Sequence, residues 1–173
     1  GVMVALVPFD WQVHDTHFIV AHMHYVLVGG VVFPLIAGFY YWLPHFSGRM
    51  PSEKMGRWAF WLTFIGFNMT FFMMHLTGLL GMPRRVYTYA EGLGWEGLNL
   101  FSSIGGFVMA LGIAMLIMDF ILSFRFGRLA PENPWNADTL EWSMPTPAPN
   151  YNFISQPDVT SRHPMWDEKN LST

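Results

Sequence analysis

Long apolar runs separated by short polar connections organise this chain. From Phe18 to Leu43 there is no Asp, Glu, Lys or Arg, and similar runs cover Trp58 to Leu80 and Leu98 to Met118, the last continuing to Phe124. Crossing a hydrocarbon core takes about 20 residues of helix. The pattern therefore predicts three spanning helices, about 16–44, 53–81 and 97–126, in an all-α integral membrane fold. Pro44 is expected to end the first helix, Ser52-Glu53 to cap and charge the start of the second, and Met82-Pro83 to stop it. Beyond Arg128 the composition turns to Pro, Asn, Ser and acidic residues, and Pro145, Pro147 and Pro149 predict extended chain. The sequence thus divides into a membrane part, 1–128, and a Pro-rich tail, 129–173, with Trp135, Trp142, Tyr151 and Phe153 as candidate anchors. The segment after Pro157 has the composition of disordered chain.

Composition strengthens the membrane reading: 52% of residues are hydrophobic, 17% aromatic and only 12% charged, against about 25% charged in soluble domains. With no cysteine, disulfides, iron–sulfur clusters and thiolate zinc sites are excluded. The net charge of −3 and the lack of a basic stripe argue against nucleic acid as a partner. Basic residues set an orientation. Arg49, Lys54, Arg57, Arg125 and Arg128 flank one side of the spans and only Arg84 and Arg85 the other, which puts the first connection and the tail in the cytoplasm. Gly1 is not an initiator methionine and the opening residues lack the flanks of a signal peptide, so the chain reads as a fragment.

Within the first apolar run lie two histidines, His22 and His24. Ionisable groups at bilayer depth are costly and mark function, and neutral imidazole is a ligand for haem iron. On a helix, positions i and i+2 point about 200° apart, so one helix would offer an imidazole to each of two cofactors and could not focus both on one ion. Arg84 and Arg85, on the same side of the membrane, suit anionic carboxylates such as haem propionates. His14 and Asp15 could contribute to a hard cation site, although magnesium wants about six ligands. Equally, Asp15 or Thr16 could simply cap the helix. His75 and Asn68 are expected to hydrogen-bond between helices, and Gly29-Gly30 and Gly105-Gly106 to allow close helix approach. Three helices enclose too little volume for two macrocycles, so a larger assembly is implied.

These residues fall in motifs that resemble subunit I of the haem–copper terminal oxidases, the cytochrome c oxidase and quinol oxidase group. The similarity runs through the stretch from Val13 to Leu27 (VHDTHFIVAHMHYVL), Trp42-Leu43-Pro44, Phe46-Ser47-Gly48, Asn68 to Phe72 (NMTFF), Gly78 to Arg85 (GLLGMPRR) and Ser102 to Gly105. The tail, with Asn133-Pro134-Trp135, Thr139 to Trp142 and Tyr151-Asn152-Phe153, looks like that of bacterial members. The resemblance covers essentially the whole chain and corresponds to the last three of that subunit's twelve helices. It implies that His22 is the proximal ligand of the high-spin haem that binds oxygen, and His24 an axial ligand of the low-spin haem. Further matches make Arg84 and Arg85 the haem-propionate pair, Asp10 a carboxylate near those propionates, and His14 with Asp15 part of a magnesium or manganese site shared with subunit II.

The implied activity is reduction of O2 to water with electrons from cytochrome c, coupled to proton pumping in the bacterial inner membrane. Two haems, of the a type, are implied as cofactors, and the partners are the lipid bilayer, the remainder of subunit I and subunits II and III. The family's copper ligands and the second low-spin haem ligand belong to earlier helices, and no spacing among His17, His45, His75 and His163 reproduces them. No copper site is expected in this chain, which should not turn over alone. Two departures stand out: Met23 lies where Phe is common, and His17 where Tyr is common. The alternatives are a quinol oxidase of the same superfamily or, in a different class, a nonredox membrane transporter fragment.

Overall fold

A computed structural model describes residues 1–159 and 161–165. Most of the segment after Pro157, expected to be disordered, lies outside the described residues. No strand is present among the described residues. Six α-helices follow one another: α1 (Val2–Ala5), α2 (Val7–Val13), α3 (His17–Leu27), α4 (Phe33–Ser47), α5 (Glu53–Leu79) and α6 (Glu96–Phe126). A π-helical turn, Val28–Val32, joins α3 to α4 without a break, so His17–Ser47 is one apolar helix of 31 residues. With α5 (27 residues) and α6 (31 residues), it makes three helices long and apolar enough to cross a membrane.

Local chemistry explains most of the boundaries. Thr16 is the N-cap of α3: its Oγ1 accepts from the Phe18 N–H at 3.2 Å, which settles the choice between Asp15 and Thr16 and leaves the Asp15 carboxylate for other partners. Pro44, expected to end the first helix, sits inside it. The helix survives the missing donor because later bonds carry it on: Gly48 N–H reaches the Pro44 carbonyl at 2.8 Å and Ser47 Oγ the Leu43 carbonyl at 2.6 Å. Gly48, at φ 68°, then closes the end in the left-handed conformation that glycine adopts freely. The short helices α1 and α2 had no counterpart in the sequence expectations, although Pro8 in the first turn of α2 is a recognisable start signal.

Two compact units divide the chain: Gly1–Ile36 with Glu53–Met118, and Ala37–Ser52 with the chain from Asp119 onward. The first is built on backbone-to-backbone closeness between helices. A Cβ at Gly78 would lie 2.1 Å from the Phe18 nitrogen, one at Gly66 2.3 Å from the Met109 nitrogen, and one at Gly112 2.4 Å from Thr63 Oγ1. Gly105 is similarly closed against Met69 and Thr70, as expected, and there Ser102 Oγ donates to the Thr70 carbonyl at 2.9 Å. Gly29 and Gly30 differ from expectation. A Cβ at either meets nothing within 4 Å, and both lie in the π-helical turn, so within this chain they are no helix-packing device.

In the second unit the tail packs on the end of α4. Trp142, 1% exposed, donates through Nε1 to Tyr41 Oη at 2.7 Å and stacks on Trp42, while Trp135 Nε1 reaches the Tyr41 carbonyl at 2.9 Å. The His45 carbonyl, freed at the helix end, accepts from the Ala148 N–H at 2.9 Å. Tyr151, by contrast, is exposed among the described residues. Asp119 is a buried carboxylate of this unit, 1% exposed. It accepts from Tyr40 Oη (2.9 Å), the Ser52 N–H (3.1 Å) and Ser123 Oγ (3.3 Å), and so holds the residue that precedes α5. Asp119→Ala strands these donors and should cost about 3 kcal/mol. Asp119→Asn, which keeps one acceptor oxygen, should cost about half as much; thermal denaturation of the purified complex checks both.

Candidate cofactor-binding site

Ala21 of α3 is fully buried, and by helical geometry His22 and His24 flank it on either side. Helical geometry sets them about 200° apart, and their surroundings differ. The ring of His24 stacks on Phe71 of α5, with centroids 4.1 Å apart and planes 13° from parallel. Its Nδ1 lies 2.7 Å from the Val20 carbonyl. A carbonyl only accepts, so Nδ1 carries the hydrogen and Nε2 is left with a free lone pair. That is the tautomer in which Nε2 can bind a metal, held by the kind of outer hydrogen bond such ligands use. His22 lies instead beside Gly1, whose Cβ would be 3.8 Å from His22 Cε1, and neither of its ring nitrogens is hydrogen-bonded among the described residues. The donor set thus offers two imidazoles on opposite flanks of one helix, which fits a metal-bearing group on each side.

Behind these rings α5 supplies an aromatic wall. Phe67 tilts against Phe71 at 5.2 Å and Tyr25 packs on Phe67 at 4.8 Å. Tyr25 donates to Asn68 Oδ1 at 2.8 Å, the helix-to-helix bond expected of Asn68. His75 does not follow suit: among the described residues its buried Nδ1 has no hydrogen-bond partner, and its ring packs against Phe18, Tyr25 and Phe72. His17 Nδ1 sits 3.3 Å from Thr77 Oγ1, a bond between α3 and α5.

Asp10, His14, Asp15 and Arg84 form one chain of contacts. His14 lies between two carboxylates, 3.6 Å from Asp10 (Nδ1 to Oδ2) and 3.7 Å from Asp15 (Nε2 to Oδ2). Asp15 pairs with the Arg84 guanidinium. The backbone fixes this pairing: Arg84 N–H donates to the Asp15 carbonyl at 2.9 Å, His17 N–H to the Met82 carbonyl at 2.9 Å, and Thr16 forms an antiparallel bridge with Pro83. Asp15 and Arg85 both adopt positive φ, 57° and 67°. Arg84 therefore meets a carboxylate of its own chain, and Arg85 is exposed. No group of three or more His, Asp or Glu among the described residues is arranged to hold a metal ion.

Sequence reasoning missed Phe71 as a neighbour of His24, because α3 and α5 meet only through tertiary packing and Phe71 sits in a run of aromatics. It also missed the Asp15–Arg84 pair, 69 positions apart in sequence. Asn99 was missed as well; its amide donates to Tyr89 Oη at 3.0 Å, and with the Trp95–Leu80 bond it orders the loop that follows Arg85.

Fold and charge define the class first: an all-helical integral membrane protein with imidazoles inside its first span and a charged cluster where α2, α3 and the end of α5 meet. Residues 1–108 match the family described as cytochrome C and quinol oxidase polypeptide I. The chain belongs to that family. It is 49% identical to cytochrome c oxidase subunit 1 of Alkalihalophilus pseudofirmus, covering 98% of this chain and 27% of the relative, and 48% identical to that of Bacillus subtilis over the same shares. Quinol oxidase subunit 1 of Bacillus subtilis is 42% identical, covering 94% of this chain and 25% of the relative. The chain spans about a quarter of the length of these relatives.

Proposed function

We propose that this chain is the last-three-helix portion of the catalytic subunit of a bacterial respiratory terminal oxidase that takes electrons from cytochrome c, reduces O2 to water and pumps protons. The observation that carries the reading is the tautomer-fixed, ring-stacked His24, two residues from a second imidazole on the other flank of the same helix. His24 would hold the iron of the low-spin haem, as one of its two protein ligands, and His22 would hold the iron of the high-spin haem. When bound, the haems, of the a type, supply the redox chemistry; the chain's own part is to hold them on either side of α3 and balance their charge. Arg84 and Arg85 pair with propionates, with Asp10 nearby, and Asp15 keeps Arg84 in place. His14 and Asp15 contribute two positions of a magnesium or manganese site completed from subunit II or by water.

The copper centre is completed by residues outside this chain, which is inactive alone and works with the rest of subunit I and subunits II and III. Residues 1–128 lie in the bacterial inner membrane as a multi-pass segment and the tail, 129–173, on its cytoplasmic side. Relatives named as cytochrome c oxidases at 48–49% identity, against 42% for the quinol oxidase, favour cytochrome c as donor. Oxygen uptake by the complex from native membranes tests this: oxidation of reduced cytochrome c supports it, and oxidation of quinol alone overturns it. Arg84→Ala should lower a haem midpoint potential, since removing a positive charge disfavours the reduced form. The expected fall is about 60 mV if the lost pairing is worth about 1.4 kcal/mol, and an unchanged potential would mean that Arg84 serves only Asp15.

A further inference from the structure

We infer that Phe71 is a positioning residue for the His24 imidazole: its ring fixes the plane in which that imidazole would present Nε2 to a haem iron. The inference rests on the haem-ligand reading of His24. A histidine side chain on a helix keeps two freedoms, rotation about χ1 and rotation of the ring about χ2. The bond from Nδ1 to the Val20 carbonyl ties one edge of the ring and leaves the plane able to rock about that bond.

Phe71 removes this remaining freedom. The two rings lie face to face at 4.1 Å and 13°, so any rocking of the imidazole drives it into the phenyl face. Phe71 itself is not free to follow. It is 9% exposed and backed by Phe67, which is 3% exposed and in turn packed against Tyr25 and Phe33. The close approach of α5 to α3 at Gly78 and Phe18 holds the two helices at the spacing this stack needs. Nothing of the kind surrounds His22: no ring stack involves it among the described residues. Of the two imidazoles, then, one is orientationally locked by this chain and the other takes its orientation from elsewhere.

For a low-spin ferric haem with two axial imidazoles, the angle between their planes sets the splitting of the iron d orbitals and hence the largest electron-paramagnetic-resonance g value. That signal reads ring orientation separately from haem content or turnover. The experiment uses the complete oxidase from native membranes with Phe71→Leu, which keeps apolar bulk but removes the flat face, and Phe71→Tyr, which keeps the face. Phe71→Leu is expected to shift or broaden the largest g value of the low-spin haem, and Phe71→Tyr to hold it at the native position. A native g value and line width in Phe71→Leu would overturn the inference. Should Phe71→Leu fail to accumulate, Phe71→Met, a flexible filler of similar volume, is read the same way: a displaced signal supports positioning, a native one overturns it. Failure of the parent reading looks different, because there His24→Ala itself would keep the low-spin signal.

Discussion

Replacing His24 by alanine in the assembled oxidase should remove the low-spin haem's absorbance and paramagnetic signal while leaving carbon monoxide binding in place. His22→Ala should do the reverse. The expectation follows from geometry: the two imidazoles stand about 200° apart on one helix, with His24 fixed against Phe71 and Val20 and His22 clear of both. Loss of an axial ligand should exceed the roughly 10–100-fold loss of affinity that outer-shell changes cost. Exogenous imidazole provides the control for misassembly, since a ligand that fills the vacated space restores the missing signal only if the rest of the site has formed. Two intact signals in either variant would sink the assignment of that histidine.

Gly78→Val should abolish accumulation of the folded complex. A Cβ there would fall 2.1 Å from the Phe18 nitrogen and 2.7 Å from its Cα, and backbone atoms cannot move aside as a side-chain tip can. Overpacking of this severity costs about 3 kcal/mol or more. The damage is local to function as well as to fold, because Phe18 sits one helical turn before His22. Gly97→Ala is the comparison: its Cβ meets nothing within 4 Å and lies in the first turn of α6, where alanine is the better helix former by about 1 kcal/mol. A purification yield and melting temperature near native for Gly78→Val, alongside Gly97→Ala, would mean that the two helices are not held at the spacing described.

The spans were legible because a bilayer imposes one length on every crossing helix, and the runs beginning at Phe18, Trp58 and Leu98 each satisfy it. Intramembrane imidazoles and paired arginines stood out for a related reason: their cost makes them informative. What the sequence hid depends on contacts between distant segments. Pro44 reads as a stop, yet the bonds after it, at Ser47 and Gly48, sustain the helix. Gly29-Gly30 reads as a packing motif, whereas the glycines inside helices that meet another helix's backbone are Gly66, Gly78, Gly105 and Gly112, since which face of a helix is crossed is a tertiary matter. Likewise the grip of Asp119 on Ser52 and of Asp15 on Arg84 could not follow from spacing. Trp135 and Trp142 could be foreseen as anchors from their bulk in a polar tail, but not the Tyr41 that receives both.

The most direct measurement is a reduced-minus-oxidised spectrum, with and without carbon monoxide, on the intact complex isolated from native membranes through a tag on this chain. Two haem populations, only one of them binding carbon monoxide, are the expected result. A stable complex that contains no haem would contradict the proposed role of His22 and His24 and return them to packing or transport.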